Sequence, residues 1–88
     1  EEFEEALKEY NAFLGMWPEH PMAEKVLFAK GFMLEENLNR PQDAVMVYRQ
    51  FLKKYPKTEL SESVEWLLKN IENNGKLAKE LIEKIEKE

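Results

Sequence analysis

The sequence predicts an all-α fold, a stack of about five antiparallel helices. Three observations predict it. Apolar residues recur at helical spacing throughout, prolines punctuate the chain between those runs, and the first half returns 38 residues later with its aromatic residues in place. The stretch from Ala6 to Pro18 aligns with that from Ala44 to Pro56. Identities fall at Ala6/Ala44, Tyr10/Tyr48, Phe13/Phe51, Leu14/Leu52 and Pro18/Pro56, and Trp17 faces Tyr55. The register holds downstream, pairing Met22 with Leu60, Glu24 with Glu62, Val26 with Val64, Phe28 with Trp66 and Met33 with Ile71. Nowhere does the sequence show the period-two alternation of a strand. Stacked helical repeats build binding surfaces rather than catalytic pockets.

The first helix is expected over 1–17, with Phe3, Ala6, Leu7, Tyr10, Phe13, Leu14 and Trp17 on one face. Pro18 and Pro21 bracket Glu19-His20 and end it. The second, over 21–38, starts with Pro21 at a first-turn position where a missing N–H costs nothing. It is apolar almost all round (Met22, Val26, Leu27, Phe28, Ala29, Phe32, Met33, Leu34, Leu38), as a helix between two neighbours is. The third, over 41–55, opens on Pro41 with Asp43 in its first turn and buries Ala44, Val45, Val47, Tyr48, Phe51 and Leu52. Thr58 is the expected N-cap of the fourth, over 59–73, which carries Leu60, Val64, Trp66, Leu67, Leu68 and Ile71. Asn73-Asn74-Gly75 supplies residues tolerant of a left-handed C-cap. A fifth helix over 76–87 follows, with Leu77, Ala78, Leu81, Ile82 and Ile85 on one side. Lys76–Glu80, Lys79–Glu83 and Glu80–Lys84 give charge pairs on the other.

At 88 residues the chain is one domain, 1–88. Its net charge of −5 argues against a nucleic-acid partner, which needs a basic patch to displace counterions. The nearest thing to one is Lys53-Lys54 with Lys57. No apolar run reaches the length of a membrane span, so no direct membrane insertion is expected. The acidic start, Glu1-Glu2-Phe3-Glu4-Glu5, is the opposite of a targeting signal. An initiator Met is absent, which leaves room for a cleaved signal or an upstream segment. Without cysteine there are no disulfides and no thiolate metal sites.

The twice-used pattern of Ala, an aromatic four residues on, Phe seven on and Pro twelve on resembles the second helix of a tetratricopeptide repeat (TPR). The endings Trp17-Pro18 and Tyr55-Pro56-Lys57-Thr58 are similar to those of bacterial cell-envelope TPR proteins. These include the outer-membrane assembly lipoproteins and Tol–Pal-associated periplasmic proteins. The stretch from Gly31 through Lys76 is similar to the tail of TPR proteins of Bacteroidetes. Gly31, thirteen residues before Ala44, matches the small residue of a repeat's first helix. Two features depart from the family: the period exceeds the usual ~34 residues, and Lys69 stands where Gly31 would recur.

The resemblance implies a right-handed α-α superhelix that begins on the second helix of a repeat. The chain is then a piece of a longer array, or a partner covers the open face of the first helix. It also implies a protein or peptide partner, a periplasmic or outer-membrane-peripheral location, no cofactor and no catalysis. A homodimer through the first helix, around Phe3, Leu7 and Leu14, is the alternative partnership, and a structural or homo-oligomerising envelope domain the alternative function.

Residues with chemical potential have plain readings. His20 in its Pro-Glu-His-Pro turn is expected to serve the turn or cap rather than bind metal. Thr58, Ser61 and Ser63 have no adjacent His and are expected to cap or to face solvent. Met16, Met22, Met33 and Met46 are expected to fill gaps between helices. Two stripes stand out. Lys25, Phe28, Phe32 and Glu35 share one helical face, and Ser63, Trp66, Asn70 and Asn73 hold the corresponding face one repeat later. By analogy with TPR proteins these line a peptide groove, with Lys25, Phe28, Phe32, Glu35, Trp66, Asn70 and Asn73 as its residues. The other reading of Phe28 and Trp66, as core between adjacent helices, is the favoured one, because large aromatics at helical spacing are usually interior.

Overall fold

The computed structural model describes the backbone of residues 2–87 and the side chains of residues 2–73 and 83–86. Four helices follow one another: α1 (Glu2–Met16), α2 (Ala23–Glu36), α3 (Pro41–Lys54) and α4 (Glu59–Lys87). Each packs on its neighbour in sequence, and α2 meets α3 most extensively. The protein is an all-α helical-repeat arrangement.

Proline and cap chemistry set the helix ends. After Met16 the Trp17 N–H returns to Phe13 O, and His20 Nδ1 accepts the Met22 N–H at 3.0 Å. His20 therefore serves the turn, and its ring sits edge-on to Phe13 with centroids 5.4 Å apart. Pro21 falls in this turn, two residues ahead of α2, rather than at its first position. At the other end of α2, Asn39 takes φ 51°, a left-handed conformation Asn tolerates, and the Arg40 N–H closes back on Leu34 O. Pro41 then opens α3.

The α3–α4 turn is held by Ser61, only 3% exposed. Its hydroxyl donates to Tyr55 O, at the end of α3. With that hydrogen committed, Ser61 Oγ accepts from the Thr58 N–H at 2.8 Å and from the Thr58 hydroxyl at 3.2 Å. Thr58 and Ser61 thus form one half of a capping box, with serine where glutamate usually stands. Lys54 completes the corner. Its ammonium donates to Pro18 O at 2.7 Å and lies 3.2 Å from Glu19, joining α3's end to the α1–α2 turn.

The expected fourth and fifth helices are one. The α4 backbone runs unbroken through Asn73-Asn74-Gly75. Every other break carries a proline, at Pro18/Pro21, Pro41 and Pro56, whereas Asn-Asn-Gly permits a left-handed cap without compelling one. The apolar face expected at Leu77, Ala78, Leu81 and Ile82, and the charge pairs through Lys76, Lys79 and Glu80, lie outside the described side chains.

The core gathers Leu27 and Leu34 of α2, Ala44, Val47, Tyr48 and Phe51 of α3, and Val64 of α4. Tyr48, Phe51 and Val64 are its largest fully buried side chains. Burying each adds about 1.5–3 kcal/mol of hydrophobic stabilisation. Val45 and Leu52, expected in the interior, are only half-buried. α2 and α3 approach closely because Gly31 has no side chain. A Cβ there would lie 2.5 Å from Tyr48 Cε1 and 3.2 Å from Val47 Cγ1. The Tyr48 hydroxyl then reaches Glu35 Oε1, one turn further along α2, at 2.9 Å. Burial, that hydrogen bond and the charges of Glu35 and Glu36 raise the Tyr48 pKa well above its ordinary value.

Candidate functional site: two aromatic footholds and an open slot

The two stripes occupy equivalent places on α2 and α4. On α2, Phe28 and Phe32 stack with centroids 6.1 Å apart and planes 22° from parallel. Phe28 is half-buried with one edge on the core, and Phe32 is 42% exposed. Lys25 is exposed at the same face. Glu35 is half-buried, and its carboxylate is the acceptor for Tyr48.

On α4, Trp66 is 63% exposed and shares a shallow depression of about 350 Å³ with Glu62, Ser63 and Leu67. Trp66 is a surface residue, which removes the core reading for that position; Phe28 has a share of both roles. Asn70 is half-buried and Asn73 exposed. The fold thus joins Phe28 to Phe32, ties Glu35 to Tyr48 and leaves Trp66 as a separate foothold.

Phe28 and Phe32 also form one wall of a second depression, about 450 Å³, between α1 and α2. Its other wall is Phe3, Ala6 and Tyr10. Of the three α1 residues expected to seek a dimer contact, only Phe3 stands clear of the fold, at 45% exposure. Leu7 and Leu14 are half-buried against the core.

A third feature draws on three helices. Two depressions of about 290 and 280 Å³ form a continuous furrow between α1 and α3, floored by α2, and share Asn11, Lys30 and Gln50. Lys30 is half-buried and makes no ion pair with another described residue. Lys54 and Arg40 lie toward the two ends, each already held by an acid: Glu19 and Asp43. Sequence reasoning missed this furrow because no single helical stripe contains it. The one available signal was Lys30, a lysine interrupting the otherwise uncharged run from Val26 to Leu34 in α2.

Ser61 has its proton engaged by a backbone carbonyl, and Ser63 is exposed. The described residues include no group of three metal-ligating side chains, and none of the described helices is long and apolar enough to cross a membrane. Comparison of the chain with protein families, with curated proteins and with solved structures returns no match.

Proposed function

We propose that the protein is a TPR-like interaction module that holds a peptide or protein segment and performs no chemistry of its own. The observation that carries this reading is the repeated placement of aromatics at equivalent positions one repeat apart. Phe28, half-buried and stacked on the exposed Phe32, and Trp66, exposed one repeat later, stand at equivalent positions of α2 and α4. Aromatic side chains of this kind dominate binding hot spots. Lys25, Asn70 and Asn73 flank them and would hydrogen-bond a ligand backbone, with Glu35 fixed in place by Tyr48. The resemblance of the Trp17-Pro18 and Tyr55-Pro56 endings to those of cell-envelope TPR proteins favours a location in the periplasm or at the outer-membrane periphery.

The footholds are shallow, so affinity should be micromolar, about −8 kcal/mol. The test is a peptide selected from a random display library against the whole chain and measured by calorimetry. The reading expects the selected peptide to shift Trp66 emission and to bind Phe28→Ala at least tenfold more weakly, about 1.4 kcal/mol. A peptide that binds while leaving both unchanged places the site elsewhere, with the α1–α3 furrow the next candidate.

A further inference from the structure

We infer that the furrow between α1 and α3 binds an extended segment of a partner protein, with a carboxylate at its centre and an apolar side chain two residues to either side. The inference names a second surface and does not involve Phe28, Phe32 or Trp66.

The furrow lies within the stack. Its walls are α1 and α3 and its floor is α2, so a helix stacked beyond α1 or α4 leaves it open. Charge sets the ligand. On a chain of net charge −5, the lining carries Lys30, Arg40 and Lys54 against one carboxylate, Asp43. Asp43 already holds Arg40 at 2.6 Å, and Lys54 donates to Pro18 O. Lys30 belongs to both halves of the furrow and makes no ion pair with a described residue. It is half-buried, so water screens its charge less than that of an exposed lysine, and an incoming carboxylate gains more there.

Gly15 is an independent sign. It lines the furrow, has no positive φ, and a Cβ there would meet nothing within 4 Å. Neither backbone conformation nor packing inside the fold calls for glycine, which weakens a helix relative to alanine. Gly31, by contrast, is required by Tyr48. A chain lying in the furrow beside α1 supplies the reason that the fold itself does not.

Shape fixes the rest. On either side of Lys30 the lining turns apolar, with Leu14 and Tyr55 toward one end and Leu7 and Met46 toward the other. Met46 and Tyr55 are nine residues apart, roughly 14 Å along α3 at the helical rise. In an extended chain, side chains i, i+2 and i+4 point the same way over about 13 Å. Apolar, acidic and apolar side chains at those positions match the furrow in order and in length. Asn11 and Gln50 stand exposed on opposite walls, without a side-chain hydrogen bond to a described residue. Their amides offer donors and acceptors to the segment's backbone.

The probes are the capped peptide Leu-Thr-Glu-Thr-Leu and its counterpart with Gln at the centre. Titrated into the intact chain, the Glu peptide should give saturable NMR shifts at Asn11, Gly15, Lys30 and Gln50. It should bind about fivefold more tightly than the Gln peptide, the scale of a partly exposed ion pair. In Lys30→Gln that difference should vanish. Gly15→Leu should fill the furrow and weaken the Glu peptide about tenfold or more, with no fall in melting temperature. Should the leucine disturb the fold, the Lys30→Gln comparison decides alone. No saturable shift, equal binding of the two peptides, or a well-folded Gly15→Leu that binds normally overturns the inference. Shifts confined to the surroundings of Phe28 and Trp66 overturn it while leaving the proposed function standing. Concentration-dependent shifts of the furrow resonances in the free chain assign the furrow to a second copy instead.

Discussion

Two glycines with opposite surroundings show what single residues contribute. Gly31 has Tyr48 where a methyl would go, whereas Gly15, near the end of α1, has nothing within 4 Å. Gly31→Ala should destabilise by about 1–3 kcal/mol through overpacking, because the obstructing atoms belong to a fully buried ring. Gly15→Ala should stabilise by about 0.5–1 kcal/mol, since only backbone freedom is lost. Urea unfolding of the two variants reads both signs. Tyr48 adds a pH signature. Its pKa is raised in the folded protein, chiefly by burial and next by the bond to Glu35. Below pH ~10 both states keep the proton and the stability is fully present. Above it the unfolded chain releases a proton that the folded chain retains, so stability falls by up to about 1.4 kcal/mol per pH unit. Tyr48→Phe should be less stable at pH 7 and should lose less between pH 10 and 11 than the parent, as followed by chemical denaturation at each pH.

The helices themselves were largely legible. Three of the four breaks expected from sequence exist, and each is enforced by a proline, a constraint that acts locally and needs no tertiary knowledge. Asn73-Asn74-Gly75 misled because tolerance for a turn is not a requirement for one, and glycine inside a helix costs only about 1 kcal/mol. Gly75→Ala separates the two readings. In a continuous α4 it should raise helicity and add up to about 1 kcal/mol; at a left-handed cap it would destabilise instead. Circular dichroism with thermal melting decides. The candidate site was legible only as stripes. Periodicity placed Phe28, Phe32 and Trp66 at equivalent positions. It gave no sign that Glu35 would be claimed by Tyr48, because that contact depends on how closely α2 and α3 approach. The furrow through Asn11, Lys30 and Gln50 was invisible for the same reason, being a product of three helices.

At the scale of the whole molecule the repeat yields a slab, 54 × 34 × 15 Å, rather than a sphere. Its accessible surface is 6796 Å². The scaling relation for a compact protein of this mass gives roughly 5,400 Å². The surplus belongs to a layer of helices with open faces and a long α4, and open faces are what an interaction module offers. Ion pairs across the slab, such as Arg49 with Glu72 at 2.9 Å, are solvent-exposed and contribute about 0–1 kcal/mol each. Packing along the stack therefore carries the fold, and packing is unequal. Tyr48 is enclosed by its neighbours, whereas its repeat partner Tyr10 borders a slot. The most direct test compares Tyr48→Ala with Tyr10→Ala in urea melts. The stacking order predicts a loss of about 3–5 kcal/mol for Tyr48 and a clearly smaller one for Tyr10. Equal losses would contradict the stacking order of the helices.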